Sequence, residues 1–582
     1  MRKLLILTLC FFTNLIIAQD LSYSEPGNNI YREMPNPAKT PVAEWAKVTS
    51  DINVSFADDN KRYPKERVPA VSSKEWISKA WKGEKVHTQI LLWTKKNITG
   101  VSCNVSDLKN EKGNIISNKN ITAAFVRYVM TDEFGEGCDE RKPGKYDSSL
   151  VADPIDIIEK IDIQANTVQP VWLTVQVPSG TPSGKYSGTV SVNAAGKTDL
   201  TITIDVANHV LPQPSEWKYD LDLWQNPDPV AKVHNVRLWS DEHYRLMEPY
   251  YTMLANAGQK SITAFMIDQP WGPDHVYHRD PTMIKWSKKK DGSWEYDYSV
   301  FDKYVDFVMS CGINKRINCY SMVTWNLSFI YFDESKGDTV SITAKPGSKE
   351  YNDLWEPMIT DFTIHLKSKG WFEKTTIAMD ERDMESMLEV MALLKRIDPE
   401  WKTALAGTYH REIAMDIYDY CIIINGEFDK DILEARRAAG MPTTFYTACG
   451  ENRPNAFTFS PPAENVWISW YAAAEGYTGY LRWAYNNWTK DVLHDTRYKT
   501  WPAGDCYQIY PGPRTSIRFE KFIEGIQDFE KIRILKEQFL KEGNNEGLKD
   551  LNKSLAVFTT KNLEKIPAED MVRKGKAFIN KY

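Results

Sequence analysis

Lys374-Thr-Thr-Ile-Ala-Met-Asp-Glu-Arg-Asp383 opens with β-branched and small apolar residues, the pattern of a buried strand, and turns abruptly acidic at Asp380 and Glu381. The two carboxylates therefore sit where a strand gives way to a loop. In a parallel α/β barrel, that strand end is the face on which reactive side chains are presented. Neighbouring residues on a flat strand point to opposite faces. Asp380 and Glu381 converge on one ligand only where the backbone twists or bulges, which strand ends allow. So placed, one can donate a proton while the other stays ionised. The competing reading is an acidic surface turn.

Outward from this stretch the same rhythm repeats. Strand patterns fall at Trp217–Leu223, Ser261–Ile267, Arg316–Met322, Thr375–Met379, Thr403–Gly407, Cys421–Asn425, Thr443–Thr447 and Gly479–Trp483. Helical patterns lie between several of them, such as Tyr244–Ala257, Tyr298–Cys311, Leu354–Lys369, Met384–Ile397 and Asp429–Ala439. Eight strands alternating with helices over about 270 residues fit a (β/α)8 barrel, with a degraded helix between the fifth and sixth strands. An open doubly wound sheet is the alternative, but no dinucleotide fingerprint supports it.

Before Pro214 the pattern differs. Val86–Trp93, Ile121–Val129, Val171–Val177, Thr189–Val192 and Leu200–Val206 are short alternating strands separated by turn residues. They predict an antiparallel β-sandwich. After Asp505, a loop leads to a long amphipathic helix over Ser516–Glu542, then helices over Leu548–Thr560 and Ala568–Tyr582. The expected organisation is multidomain: a leader at 1–18, a β-sandwich at 19–212, a (β/α)8 barrel at 213–515, and C-terminal helices at 516–582 packed on the barrel.

The leader is a basic start, an apolar run from Leu4 to Ile17, then Ala18-Gln19. This is the form of a secretory signal peptide, and the run is too short for a comfortable membrane span. The expectation is export, to a periplasm or the medium. Cys10 follows Leu9 rather than a small residue, which argues against a lipid anchor. Seven of the 8 cysteines remain after the leader, an odd and scattered set that does not read as a disulfide framework. Cys103 with Cys138 is the pairing considered, because both fall in the first domain. No metal-ligand spacing occurs, and neither metal nor cofactor is expected. Net charge is −6, which excludes a basic nucleic-acid footprint. Oligomeric state has no signature here.

The composition is aromatic, with 20 Trp and 29 Tyr. Polar and aromatic residues crowd the strand ends: Trp224-Gln-Asn226, Asp268-Gln-Pro-Trp271, Tyr320 and Trp325, Tyr409-His410, Asn425-Gly-Glu427, Tyr446, and Trp483-Ala-Tyr-Asn-Asn-Trp488. Singly, each is as well explained by packing at a barrel rim. Together they suit a carbohydrate pocket, since rings stack on apolar sugar faces and a few polar groups fix orientation.

The block from Trp483 to Trp488, with Asp495-Thr-Arg497, Trp501-Pro-Ala-Gly-Asp505, Tyr510-Pro-Gly-Pro-Arg514 and Arg518-Phe-Glu-x-x-x-Glu-Gly-Ile-Gln-Asp528, resembles the characteristic tail of glycoside hydrolase family 123. The resemblance runs over the whole mature chain. It implies a retaining, exo-acting β-N-acetylgalactosaminidase that uses substrate assistance on a terminal β-linked N-acetylgalactosamine. Glu381 would be the general acid/base, and Asp380 would polarise the 2-acetamido group. An aromatic wall for that group is sought among Tyr409, Tyr446, Trp483 and Tyr485, and hydroxyl partners among Asn425, Asn486 and Asp505. The alternatives are a β-N-acetylhexosaminidase, a glycosidase with separated carboxylates such as Glu381 and Glu427, and a non-catalytic glycan-binding protein.

Overall fold

The computed structural model describes residues 33–133, 138, 147–272, 279–498 and 500–582, so the leader lies outside the described residues. Strand alternation in the first third of the chain builds two sheets. One orders Ile52–Ala57, Lys85–Thr94, Thr167–Gln176, Ile121–Asp132 and Ser148–Ile155. The other is led by Glu75–Lys82, Lys197–Val210, Gly184–Asn193, Ile98–Val105 and Lys160–Ile163. Pairings are antiparallel except between Glu75–Lys82 and Lys197–Val210. Alternate residues such as Ile90 and Leu92, Leu173 and Val175, and Ile202 and Ile204 fill the core between the sheets. The first sheet is covered on its other face as well. Leu91 and Trp93 pack under Trp45, and Tyr128 and Trp172 meet Ile517, which is why those strands read as unbroken apolar runs.

After the short turn Pro214–Glu216, eight parallel strands form the barrel: β1 (Asp220–Leu223), β2 (Ser261–Phe265), β3 (Arg316–Tyr320), β4 (Thr375–Asp380), β5 (Lys402–Gly407), β6 (Asp419–Ile423), β7 (Thr443–Tyr446) and β8 (Gly479–Arg482). Helices α1 (Asp241–Ala255), α2 (Ser299–Ser310), α3 (Lys349–Lys369), α4 (Met384–Ile397), α5 (Lys430–Ala438) and α6 (Pro462–Glu475) fall between them. Between β5 and β6 only a single 3-10 turn, Arg411–Ile413, remains of a helix.

The barrel is almost closed. Between β1 and β2 one backbone bridge, Leu221 to Gln259, stands in place of a ladder. Side-chain amides replace the missing rungs. Gln259 accepts from Leu223 N at 2.9 Å and donates to Leu223 O at 3.1 Å, and Gln225 accepts from Thr263 N at 2.9 Å. A glutamine amide offers the donor and acceptor of a peptide group, so the gap is satisfied without strand contact.

A four-stranded sheet not read from the sequence grows from the loops after β2 and β3. It is made of Lys285–Lys288, Trp294–Asp297, Ser328–Asp333 and Asp338–Thr343, and Trp286 at its centre packs edge-on against Trp355 of α3.

The long tail helix α7 (Ile517–Glu542), capped by Ser516, follows β8. Its apolar side faces the barrel, with Phe522 against Tyr480 and Phe519 against Tyr485. As far as Lys531 its charged side is not solvated. Arg518 pairs with Asp153 at 2.9 Å, Lys521 with Asp59 at 2.9 Å, and Lys531 with Glu84 at 2.6 Å, all three cations buried against the sandwich. The guanidinium of Arg518 also ties down Gly504 O and Tyr507 O at 3.0 and 2.9 Å. Removing one partner of a buried pair leaves the other charge stranded. Arg518→Ala is therefore expected to destabilise the protein by about 3–5 kcal/mol in denaturant unfolding.

The expected pairing of Cys103 with Cys138 is corrected: Cys138 is bonded to Cys449 across 311 residues, and Cys103 is free. Connectivity of scattered cysteines has no local signature. The bond ties the sandwich to the loop after β7, closing a long loop of the unfolded chain. Reduction with a phosphine is expected to lower the thermal midpoint by several degrees, a stabilisation of about 2–4 kcal/mol being typical. Among the described residues no helix is long and apolar enough to cross a membrane.

Candidate active site

Side-chain hydrogen bonds identify the inside of the barrel. Thr376 Oγ1 of β4 donates to Asn318 Oδ1 of β3 at 2.6 Å, and Asn318 Nδ2 donates to Asp222 Oδ2 of β1 at 2.9 Å. Those three residues point inward. With a period of two, Ala378 and Asp380, Tyr320, and Trp224 follow on the same side. Register carries the face further, because Asp222 is level with Leu481 and Leu481 with Tyr446. Tyr446 and, two residues beyond Leu481, Trp483 therefore face the mouth. Asp380 stands at the top of the inward row on β4.

Glu381 follows with φ +49°, a left-handed conformation uncommon for a residue with a side chain. This is the backbone twist that a convergent Asp-Glu pair requires. Its amide still donates to Ala406 O of β5 at 2.7 Å, which anchors the turn. Gly407 lies against it, and a Cβ there would come within 3.2 Å of the Glu381 Cα. The turn directs the Glu381 carboxylate back over the mouth, where Tyr446 donates its hydroxyl proton to Oε1 at 3.0 Å. Asp383, the third acid of the stretch, caps α4 by accepting from Ser386 N at 2.9 Å.

Aromatic rings from the preceding strand ends enclose Asp380. Trp224 stacks on Trp271 at 5.0 Å and meets Tyr320 at 4.6 Å, and Trp271 meets Tyr320 at 5.3 Å. The Trp271 indole donates to Asp380 Oδ2 at 2.8 Å, and Trp325 donates to the same carboxylate. Burial among these rings, followed by the adjacent Glu381 charge, pushes the Asp380 pKa up to about 7. The two indoles and Arg382 oppose that rise. A carboxylate titrating in this range can act ionised or neutral near physiological pH.

The sequence-predicted partners divide into groups. Tyr446 and Trp483 join the carboxylates at the mouth, Trp483 half-buried against Trp501 with ring centroids 5.2 Å apart. Tyr409 and Asn425 are on the rim at the ends of β5 and β6, where the Tyr409 hydroxyl bonds Asp429 at 2.9 Å and Asn425 is exposed. Tyr485, Asn486 and Asp505 take supporting positions instead, fully buried. The Tyr485 hydroxyl donates to Tyr250 O at 3.0 Å, and Asn486 Nδ2 to Asn226 O at 2.8 Å. Asp505 is paired with Arg482 at 2.8 Å and accepts the Trp483 indole N–H at 3.0 Å, so it orients that ring from behind. In the sequence Trp271 and Trp325 stand out only as strand-end residues. The signal for their role was order: β2 and β3 come immediately before β4, and their ends flank Asp380.

An acidic pair at the C-terminal mouth of a barrel, lined by aromatic rings, is an arrangement that suits glycoside hydrolysis. The catalytic-domain model of glycoside hydrolase 123 matches residues 224–535, more than half of the chain, and the N-terminal-domain model of the same family matches 56–194. The chain belongs to glycoside hydrolase family 123. It is similar to the solved family 123 glycoside hydrolase from Clostridium perfringens, described as acting in glycolipid glycan hydrolysis, with 25% identity and a TM-score of 0.83 over 91% of this chain and 98% of that one. A family 39 glycoside hydrolase from Bacteroides cellulosilyticus WH2 is more distant, with 10% identity and a TM-score of 0.33 over 78% and 82% of the chains. No curated protein matches.

Proposed function

We propose that this protein is an exported, exo-acting β-N-acetylgalactosaminidase that retains anomeric configuration through substrate assistance. The observation that carries the reading is the convergence of Asp380 and Glu381 from one strand end onto the mouth. A two-sided displacement needs carboxylates on opposite faces of the sugar, and two adjacent residues do not provide that. Glu427, the second carboxylate of the rival reading, is exposed and lies by Glu475 and Tyr471 on the helix side.

In the proposed reaction, Asp380 accepts a hydrogen bond from the 2-acetamido N–H and turns the carbonyl oxygen toward the anomeric carbon. That oxygen attacks as Glu381 protonates the glycosidic oxygen. A C–O bond forms to give an oxazolinium ring as the bond to the leaving group breaks. The fixed negative charge of Asp380 balances the positive charge on the ring. Water then gives a proton to Glu381 and opens the ring at the anomeric carbon, restoring the acetamide. The rings of Trp224, Trp271 and Tyr320 form the wall nearest Asp380 and supply the apolar surface that the acetamido methyl needs. Export rests on the leader, and the Cys138–Cys449 bond agrees with an oxidising compartment.

The test is hydrolysis of aryl β-N-acetylgalactosaminide, β-N-acetylglucosaminide and β-galactoside. Turnover of the first alone supports the reading. Comparable turnover of the plain galactoside removes the acetamido nucleophile and the mechanism with it. Equal rates on both acetamido sugars would make this a broader β-N-acetylhexosaminidase.

A further inference from the structure

Arg382 directly follows the carboxylate pair, and its Nε donates to Asp380 O at 2.6 Å. Its guanidinium lies over the ring of Trp325, 5.7 Å from the centroid. Three other arginines of the strand-end loops are neutralised. Arg279 is on Asp268 at 2.9 Å, Arg411 on Asp429 and Asp431 at 2.6 Å each, and Arg453 on Glu464 at 2.7 Å. Arg382 is half-buried, and among the described residues it makes no contact ion pair, though the charges of Asp380, Glu381 and Asp383 lie near it. A partly desolvated guanidinium in that condition still has its planar fork of donors to satisfy.

Trp325 leaves 37% of its surface open although it is a large apolar residue at a barrel mouth. Its N–H is engaged by Asp380, which holds the ring in place. A fixed, open indole is a platform for a sugar ring. Arg382 and Trp325 lie on the loops after β4 and β3 and both touch Asp380, the first at its carbonyl and the second at its carboxylate, so they flank the carboxylate pair at the mouth.

We propose that Arg382 and Trp325 form the leaving-group subsite, and that it selects a glycan whose penultimate sugar carries a carboxylate or sulfate. This rests on the reading that Asp380 and Glu381 act on a terminal N-acetylgalactosamine. The ring of that second sugar lies along Trp325, and its anionic group takes the two Nη donors of Arg382 in a bidentate contact. The protein carries a net charge of −6, so its long-range field does not attract such a glycan. Selection is local, and it depends on one side chain.

The experiment uses three disaccharides in which N-acetylgalactosamine is β1,4-linked to glucose, to glucuronic acid, or to glucose 6-sulfate. They differ only at C6 of the leaving sugar. The wild type is expected to show a kcat/KM about tenfold or more higher on an acidic member than on the neutral one, as a charge-assisted contact implies. The carboxylate and sulfate arms identify which anion is taken. Arg382→Gln is expected to abolish that ratio, whatever loss all three substrates share. Arg382→Lys keeps the charge without the fork and is expected to retain only part of the ratio. No acidic preference in the wild type, or a preference that survives Arg382→Gln, overturns the proposal. An equal fall on all three substrates with the ratio unchanged makes Arg382 a positioning residue and overturns it as well. If aryl β-N-acetylgalactosaminide is cleaved and the acidic ratio is absent, this inference alone fails. If the aryl substrate is not cleaved, the underlying reading fails and this one goes with it.

Discussion

Asp380→Asn is expected to lower kcat/KM on aryl β-N-acetylgalactosaminides by about 10²–10³-fold, even with the most activated leaving groups. In the proposed mechanism the reason lies in what the side chain does before any bond breaks. The acetamido N–H must meet an anionic acceptor for its carbonyl oxygen to become nucleophilic. An asparagine presents a neutral amide, one end of which is itself a donor. The indoles of Trp271 and Trp325 already donate into this position, Trp271 at 2.8 Å, so the substituted amide is pulled toward keeping its oxygen on them. Its –NH₂ is then turned to the substrate N–H, donor against donor. A loss smaller than about tenfold would remove Asp380 from the first step.

The same residue sets a pH dependence whose sign follows from its environment. Burial and Glu381 push its pKa up to about 7. Activity that needs the ionised form falls as pH drops through that value, so the acidic limb of kcat/KM is expected near 7 rather than near 4. A bound substrate donates its N–H to the carboxylate and favours the charged form, so the limb of kcat lies lower. Stability moves the other way. In the unfolded chain Asp380 titrates near about 4, and folding raises that value, so its stabilising contribution is fully present below about 4 and is lost as pH rises through about 7. Relative to the wild type, Asp380→Asn is therefore expected to gain stability between pH 4 and pH 8. Parallel melting curves of the two proteins across that range would disprove the raised value.

How much of this was legible in the sequence depends on how local each signal is. The eight barrel strands show as apolar runs of the right spacing, and their order alone makes Asp380 and Glu381 a strand end. The degraded connection between β5 and β6 shows in the same way. The left-handed turn at Glu381 does not, because nothing in a glutamate marks a positive φ. The neighbouring Gly407, needed for close approach, lies on another strand. The partners of the α7 charges are hidden for a similar reason. Arg518, Lys521 and Lys531 look like a solvated face, and only partners more than 360 residues away in sequence make it a buried one. Asn486 and Asp505 belong to the tail motif that resembled the family, and both are fully buried, which the sequence does not mark. Asp505 accepts the indole N–H of Trp483 at 3.0 Å.

Glu381→Gln is the second large effect, and its size is expected to depend on the leaving group. Glutamine keeps the shape, and its oxygen can still accept the Tyr446 hydroxyl now 3.0 Å from Oε1, so the turn and the fold are preserved. What it lacks is a transferable proton. For a sugar leaving group, whose oxygen is strongly basic, the loss is expected to be about 10²–10⁴-fold. For 2,4-dinitrophenol, which departs as a stable anion, the first step needs little help and is expected to survive. The second step then suffers instead, because in the proposed mechanism Glu381 also takes the proton of the attacking water. Azide carries no proton to remove, so it is expected to restore turnover of the dinitrophenyl substrate and to yield the β-glycosyl azide. Retention in that product follows from attack on the face opposite the oxazolinium oxygen. An α-azide would instead place the displaced bond on the wrong side, and a loss independent of the leaving group would deny Glu381 the role of acid.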